Sequence, residues 1–283
     1  GFSNSETFDF NLLQPRFSFN MDATDLFSNR EKVVAATLRG GRGLFMGRIP
    51  RVWYGNAYSR TGATGDYRGW YSYDTSASNF PGPMPKGDPT AFWLGAGSKY
   101  TVPSGDNPYG VAQSTDPNFE APSSWRTSLG LDILTQGGWD VTLEYNLDEV
   151  RQAIFFTDLG IEQEGTLADG RGIYGGRGDY RLTNTDQGTT EAWTISTAKQ
   201  FGDLNWFAGY TKMRANDVFE LTSAQSESSY GRSVRADGEN ISAARSNFMV
   251  EHKFITSLDY TTQLIGENDT RFSLVYVRKS GEP

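Results

Sequence analysis

The sequence predicts an all-β fold: an antiparallel sheet of about eight strands, of the kind that forms a segment of a transmembrane β-barrel with long extracellular loops. Three observations predict it. Apolar residues recur with a period of two, which turns successive side chains to opposite faces of a strand. The connections between the strand-like stretches alternate between short and long. Aromatics reach 14% while mean hydropathy is only -0.54, a pairing that suits aromatic strand faces joined by long polar loops.

The clearest stretch is residues 124–146, SWRTSLGLDILTQGGWDVTLEYN. One alternating set holds Trp125, Thr127, Leu129 and Leu131, then Trp139, Val141, Leu143 and Tyr145; the other holds Arg126, Ser128, Gly130 and Asp132, then Asp140, Thr142, Glu144 and Asn146. Thr-Gln-Gly-Gly between them supplies turn residues, and glycine reaches the positive φ of a tight reversal. The result is a hairpin with one apolar and one polar face.

The same unit recurs along the chain. Strand one is expected at about 13–22, with Phe17, Phe19 and Met21 alternating with Arg16, Ser18, Asn20 and Asp22. Strand two follows at about 32–48; its Arg39-Gly-Gly-Arg-Gly run suggests bending or close backbone approach. Strands three and four are the hairpin, the latter running to about 156. Strands five and six (about 189–201 and 204–214) carry Trp193, Ile195, Trp206 and Tyr210 on one face. Strands seven and eight (about 248–262 and 271–278) carry Phe254, Leu258 and Tyr260, then Phe272, Leu274 and Tyr276.

The long connections fall at about 49–123, 157–186 and 215–246. Consecutive antiparallel strands place alternate connections at opposite ends of a sheet, so all long loops share one end. That is the layout of outer-membrane barrels, in which short periplasmic turns face long extracellular loops. Aromatics near strand ends, such as Trp125, Trp139, Trp193, Trp206, Tyr260 and Tyr276, fit an interfacial girdle, although aromatics also favour strands in general.

Composition excludes several classes. The formal charge of -8, with no compensating basic run, argues against a nucleic-acid partner. Zero cysteines leave no disulfide framework and no thiolate metal site. No apolar run approaches the ~20 residues of a spanning helix, whereas a spanning strand needs only ~9–11. No signal peptide is read at Gly1, and both ends read as cut from something longer.

Residues 33–62, VVAATLRGGRGLFMGRIPRVWYGNAYSRTG, resemble TonB-dependent outer-membrane receptors of the Oar-like group, which carry a carboxypeptidase-regulatory-like domain. The likeness continues through Leu182-Thr-Asn-Thr-Asp186, Ala208-Gly-Tyr-Thr-Lys212, Ala215-Asn-Asp-Val218, His252-Lys-Phe254 and Ser280-Gly-Glu-Pro283. The resemblance implies the later part of a plugged barrel of 22 strands in the cell outer membrane. It also implies a plug domain, the remaining barrel strands and the TonB complex as partners, beside outer-membrane lipid. Loops would capture a bulky ligand, and energised movement of the plug would admit it. No enzyme activity, cofactor or metal is expected.

Other motifs fare poorly. Gly170-Arg-Gly-Ile-Tyr-Gly175 matches a dinucleotide fingerprint but lacks the strand and helix that fingerprint requires. Arg177-Gly-Asp179 is three common residues in a glycine-rich loop. His252 is the only histidine, so a metal site or triad lacks partners. The loop acids Glu162, Glu164, Asp169, Asp179 and Asp186 show no calcium-loop spacing.

The expected lipid-facing set is Trp125, Leu129, Leu131, Val141, Leu143, Tyr145, Leu258, Phe272 and Leu274. The expected lumen-facing set is Arg126, Ser128, Asp132, Asp140 and Glu144. Loop aromatics Trp53, Tyr54, Tyr58, Tyr67, Trp70, Tyr71, Tyr73 and Trp93 are the candidate ligand-binding residues, with self-packing of the loop as the competing role. Two further functions fit the same strands: a barrel that anchors a surface or periplasmic protein assembly, and a soluble sandwich that binds carbohydrate with its apolar face inward.

Overall fold

A computed structural model describes residues 11–27, 32–49, 52–53, 55, 112–175, 179–218, 223, 225–232 and 242–281. The described chain is all-β. Its main sheet is an antiparallel meander of β1 (Arg16–Asp22), β2 (Val33–Met46), β4 (Ser123–Thr135), β5 (Trp139–Asp158), β9 (Thr189–Phe201), β10 (Leu204–Asp217), β12 (His252–Ile265) and β13 (Asn268–Lys279), each beside its neighbour in that order. These match the eight expected strands. β1 and β13 are the outermost strands and do not pair with each other, so the described strands do not close into a barrel.

The expected sorting of connections is present. Gly138 (φ 73°), Gly202 (φ 59°) and Gly266 (φ 58°) sit in the tight reversals after β4, β9 and β12, where an L side chain would be strained. The opposite end carries the long connections, and these are more ordered than the sequence suggests. β3 (Ala112–Thr115) lies in the first; the hairpin of β6 (Glu162–Thr166) and β7 (Gly172–Gly175) and then β8 (Asp179–Thr185) lie in the second; helix α1 (Ser226–Arg232) and β11 (Ala244–Arg245) lie in the third. β8 pairs antiparallel with the upper half of β5 and parallel with β3.

This loop end holds the buried hydrophobic core. Phe119, Ile154, Phe156 and Leu182 pack together, with Phe156 fully buried, and Ile49 and Trp53 lie against them. The main sheet has no such centre. Leu129, Leu143 and Leu274 remain 46%, 41% and 65% exposed, and among the described residues no second sheet covers them.

Cross-strand registers define the two faces. One hydrogen-bonded row reads Met21, Leu38, Leu131, Leu143, Ile195, Tyr210, Phe254 and Arg278, apolar at every strand except the last. The adjacent row, one residue along each strand, reads Asn20, Arg39, Gly130, Glu144, Thr194, Thr211, Lys253 and Lys279. A single-residue slip anywhere would exchange the two faces, so the pattern fixes the register.

Candidate functional site

All five residues of the expected polar set lie on one face. Asp132 stands opposite Thr142, Asp140 opposite Leu134, Ser128 opposite Asn146 and Arg126 opposite Asp148, with Glu144 in the adjoining row. The apolar set likewise shares the other face. Trp125, Leu129 and Leu131 lead through Tyr145, Leu143 and Val141 on β5, and the rows continue to Leu258, Leu274 and Phe272 on β12 and β13.

The polar face is held by charge-assisted bonds. Arg39 donates from Nε to Asp132 at 2.8 Å and from Nη2 to Glu144, while Thr142 donates its hydroxyl to the other Asp132 oxygen at 2.8 Å. Gly130 stands between Arg39 and Glu144 in their row; a Cβ there would sit 2.8 Å from the guanidinium carbon, so the missing side chain gives Arg39 its path. Further along, Arg126 pairs with Asp148 at 2.8 Å, the Thr194 and Thr211 hydroxyls meet at 3.0 Å, and Arg271 pairs with Asp259 at 3.0 Å. The ion pairs are partly open to solvent, so they orient the face more than they stabilise it.

The apolar face carries its rings near its two margins. Tyr145 and Trp193 lie 4.3 Å apart toward the loop end; Trp139 meets Phe201 and Trp206 edge-on at 5.9 and 5.6 Å beside the turns. The Lys199 ammonium lies over the Trp139 and Phe201 rings, at 4.8 and 4.9 Å from their centroids. At the other margin Arg42 leaves its own row, reaching Glu149 at 2.8 Å and passing 5.3 Å from the Trp125 ring. Tyr210 and His252, on the paired strands β10 and β12, share a hydrogen bond of 2.7 Å.

Among the described residues, no group of His, Cys, Asp and Glu is arranged to hold a metal. No helix among them is long and apolar enough to cross a membrane, which says nothing of crossing by strands. Gly172–Gly175 forms β7 of a two-stranded hairpin, so the fingerprint-like glycines precede no helix. In that hairpin the Arg171 side chain bonds Asp169 at 2.9 Å and holds its carboxyl below the usual range. Glu162 and Glu164 lie on β6.

Of the loop aromatics, Trp53 is placed, and it packs on the loop-end core. Tyr54, Tyr58, Tyr67, Trp70, Tyr71, Tyr73 and Trp93 lie outside the described residues. Sequence reasoning passed over Arg39, the hub of the polar network, because the Arg-Gly-Gly-Arg run blurs the alternation; the acids it joins were both recognisable. No protein-family model matches the chain, and no curated protein matches it.

Proposed function

We propose that this chain forms part of the barrel wall of an outer-membrane receptor of the TonB-dependent kind, which takes up a bulky ligand captured by the loops at one end. The observation that carries the reading is the unbroken apolar row from Met21 to Phe254, uncovered by any described layer and lying one residue from a polar row. Most of these side chains are a third to a half exposed, so in water each forgoes a fraction of the roughly 1.5–3 kcal/mol that full burial supplies. Acyl chains supply that burial, and sheet hydrogen bonding satisfies the backbone groups that lipid cannot. A sandwich would place this face inside a second layer, so its openness favours the barrel.

The slope of the face's polar margin gives independent support. The first strongly polar residue toward the loop end is Glu149 on β5, Glu191 on β9, Lys212 on β10, His252 on β12, and Arg278 on β13. Carried back along the rows to β5, these stand level with Glu149, Leu147, Tyr145, Tyr145 and Leu143. The margin thus falls about six residues over four inter-strand steps. At ~3.4 Å per residue and ~4.8 Å per strand that is a slope of roughly 45°. Membrane barrels tilt their strands ~35–45°, so a flat bilayer surface would trace such an oblique line across them. The turns drop in the same direction: Phe201, Leu204 and Tyr260 share a row beside the Gly202 turn, and β12 runs on to Ile265. Arg42 starts on the apolar side of this line and reaches up to it through Glu149, as a snorkelling side chain does.

Energised uptake rests on the resemblance of the 33–62 block and the blocks that follow it. The lumen would be the polar face, with Arg126, Ser128, Asp132, Asp140 and Glu144 turned toward water and a plug. The test is fractionation joined to uptake. The protein is expected to sediment with outer membranes, and cells carrying it to take up a ligand whose entry a protonophore abolishes. Recovery in the soluble fraction would overturn the barrel reading. Outer-membrane location with a bound surface partner and no uptake would favour the anchoring role.

A further inference from the structure

We infer that the polar face carries an oxyanion-binding site between Arg16 and Arg126, and that it takes a carboxylate or phosphate group. This inference does not depend on what the apolar face meets. Arg16 on β1 and Arg126 on β4 stand on either side of Gly43 in one cross-strand row. Both guanidiniums approach the same ring, with their central carbons 4.4 and 5.5 Å from the Phe45 centroid. Two like charges on one face repel, and here both are drawn to one ring, whose negative face offsets part of that repulsion. Gly43 makes the arrangement possible: a Cβ there would lie 2.9 Å from Arg16 Cγ and 3.1 Å from the Phe45 ring.

The donors outnumber the acceptors. A guanidinium has five N–H groups. Arg126 uses Nε on Asp148 at 2.8 Å, and Arg16 uses Nη2 on the Gln14 side chain at 3.3 Å. Among the described residues no other acceptor meets either fork, so one carboxylate faces two arginines in a protein of net charge -8. The space before them is concave. A depression of about 580 Å³ is lined by Ser18, Gly41, Gly43, Ser128 and Asn146, and by Asp148, which Arg126 already bonds. A planar carboxylate or a phosphate accepts two N–H bonds from a guanidinium fork, and such bonds are stronger than neutral ones. Phe45 offers an apolar wall to whatever carbon skeleton bears the anion.

The test uses the detergent-solubilised protein and two probes, radiolabelled citrate and inorganic phosphate, in equilibrium dialysis at low salt. Citrate binding alone identifies a carboxylate site, and phosphate binding alone a phosphate site; either sustains the inference. Arg16→Gln and Arg126→Gln are each expected to weaken binding about tenfold or more. Gly43→Ala is expected to weaken it while keeping both charges, because the added methyl presses Arg16 and Phe45 apart. Arg271→Gln, on the same face but paired with Asp259 near the turns, is expected to leave binding unchanged and the sheet folded. Absence of binding by both probes, or equal loss in all four variants, would overturn the site.

Discussion

Arg39 on β2 bonds Glu144 on β5 by crossing directly over Gly130, the residue that separates them in their shared row. The ion pair therefore depends on an absent side chain as much as on two present ones. Gly130→Ala should displace Arg39 and cost about 1 kcal/mol, the scale of a half-exposed pair. In an Arg39→Ala background the same change should be neutral or stabilising, because alanine is better than glycine in a strand interior by roughly 0.5–1 kcal/mol. A double-mutant cycle in urea reads the coupling directly; additive costs would show that Gly130 has no part in the pair.

Gly41 tests a different use of glycine. A Cβ there would lie 2.6 Å from the Phe17 carbonyl oxygen, which is backbone and cannot rotate away. Gly41→Ala should force β1 away from β2 and cost about 1–3 kcal/mol, with the change in hydrogen exchange confined to β1. A cost below that range, with β1 protection intact, would mean the strands accommodate the methyl.

A charge placed on the apolar row should be costly in lipid. Leu143→Arg, mid-row, is expected to destabilise the protein by ~2–4 kcal/mol in bilayers, the scale for a midplane cation on a barrel's outer face. Thr194→Arg, on the polar row beside Glu144, should stay within about 1 kcal/mol. Equal costs at the two positions in a urea titration from liposomes would remove the distinction between the faces.

Among the described residues no strand pairs with the outer side of β1 or of β13, and unpaired strand edges recruit other strands. Residues 1–283 alone, without detergent, should give polydisperse aggregates by light scattering. A monodisperse detergent-free monomer would contradict both the open edges and the proposal that the apolar face meets lipid.

The eight strands of the main sheet were legible because most of them alternate, the second and the last least cleanly, and because Gly138, Gly202 and Gly266 mark its tight turns. The loop-end structure was not. Gly172–Gly175 and Ala112–Thr115 are too short and too mixed to show a period, and the parallel pairing of β3 with β8 joins residues far apart in sequence. The core of Phe119, Ile154, Phe156 and Leu182 was hidden for the same reason: its members come from separate segments. The two faces of Leu129, Leu143, Asp132 and Glu144 could be read in advance, since period two assigns a face without long-range information. Arg39 could not be ranked above Arg42, because only the register shows that one turns toward Asp132 and the other toward Trp125.

The most direct measurement places single cysteines, in a chain that has none of its own, at Leu143, Glu144, Thr194 and Ile195, and at Leu129 and His252, which begin and end a short run of one row. Each is spin-labelled in liposomes and its collision rates with oxygen and a water-soluble nickel chelate are compared. The account predicts that labels at 143, 195 and 129 meet oxygen and not nickel, that those at 144 and 194 meet nickel, and that 252 reports the headgroup level although it shares a row with 129. Nickel access at 143 and 195 equal to that at 144 and 194 would contradict it.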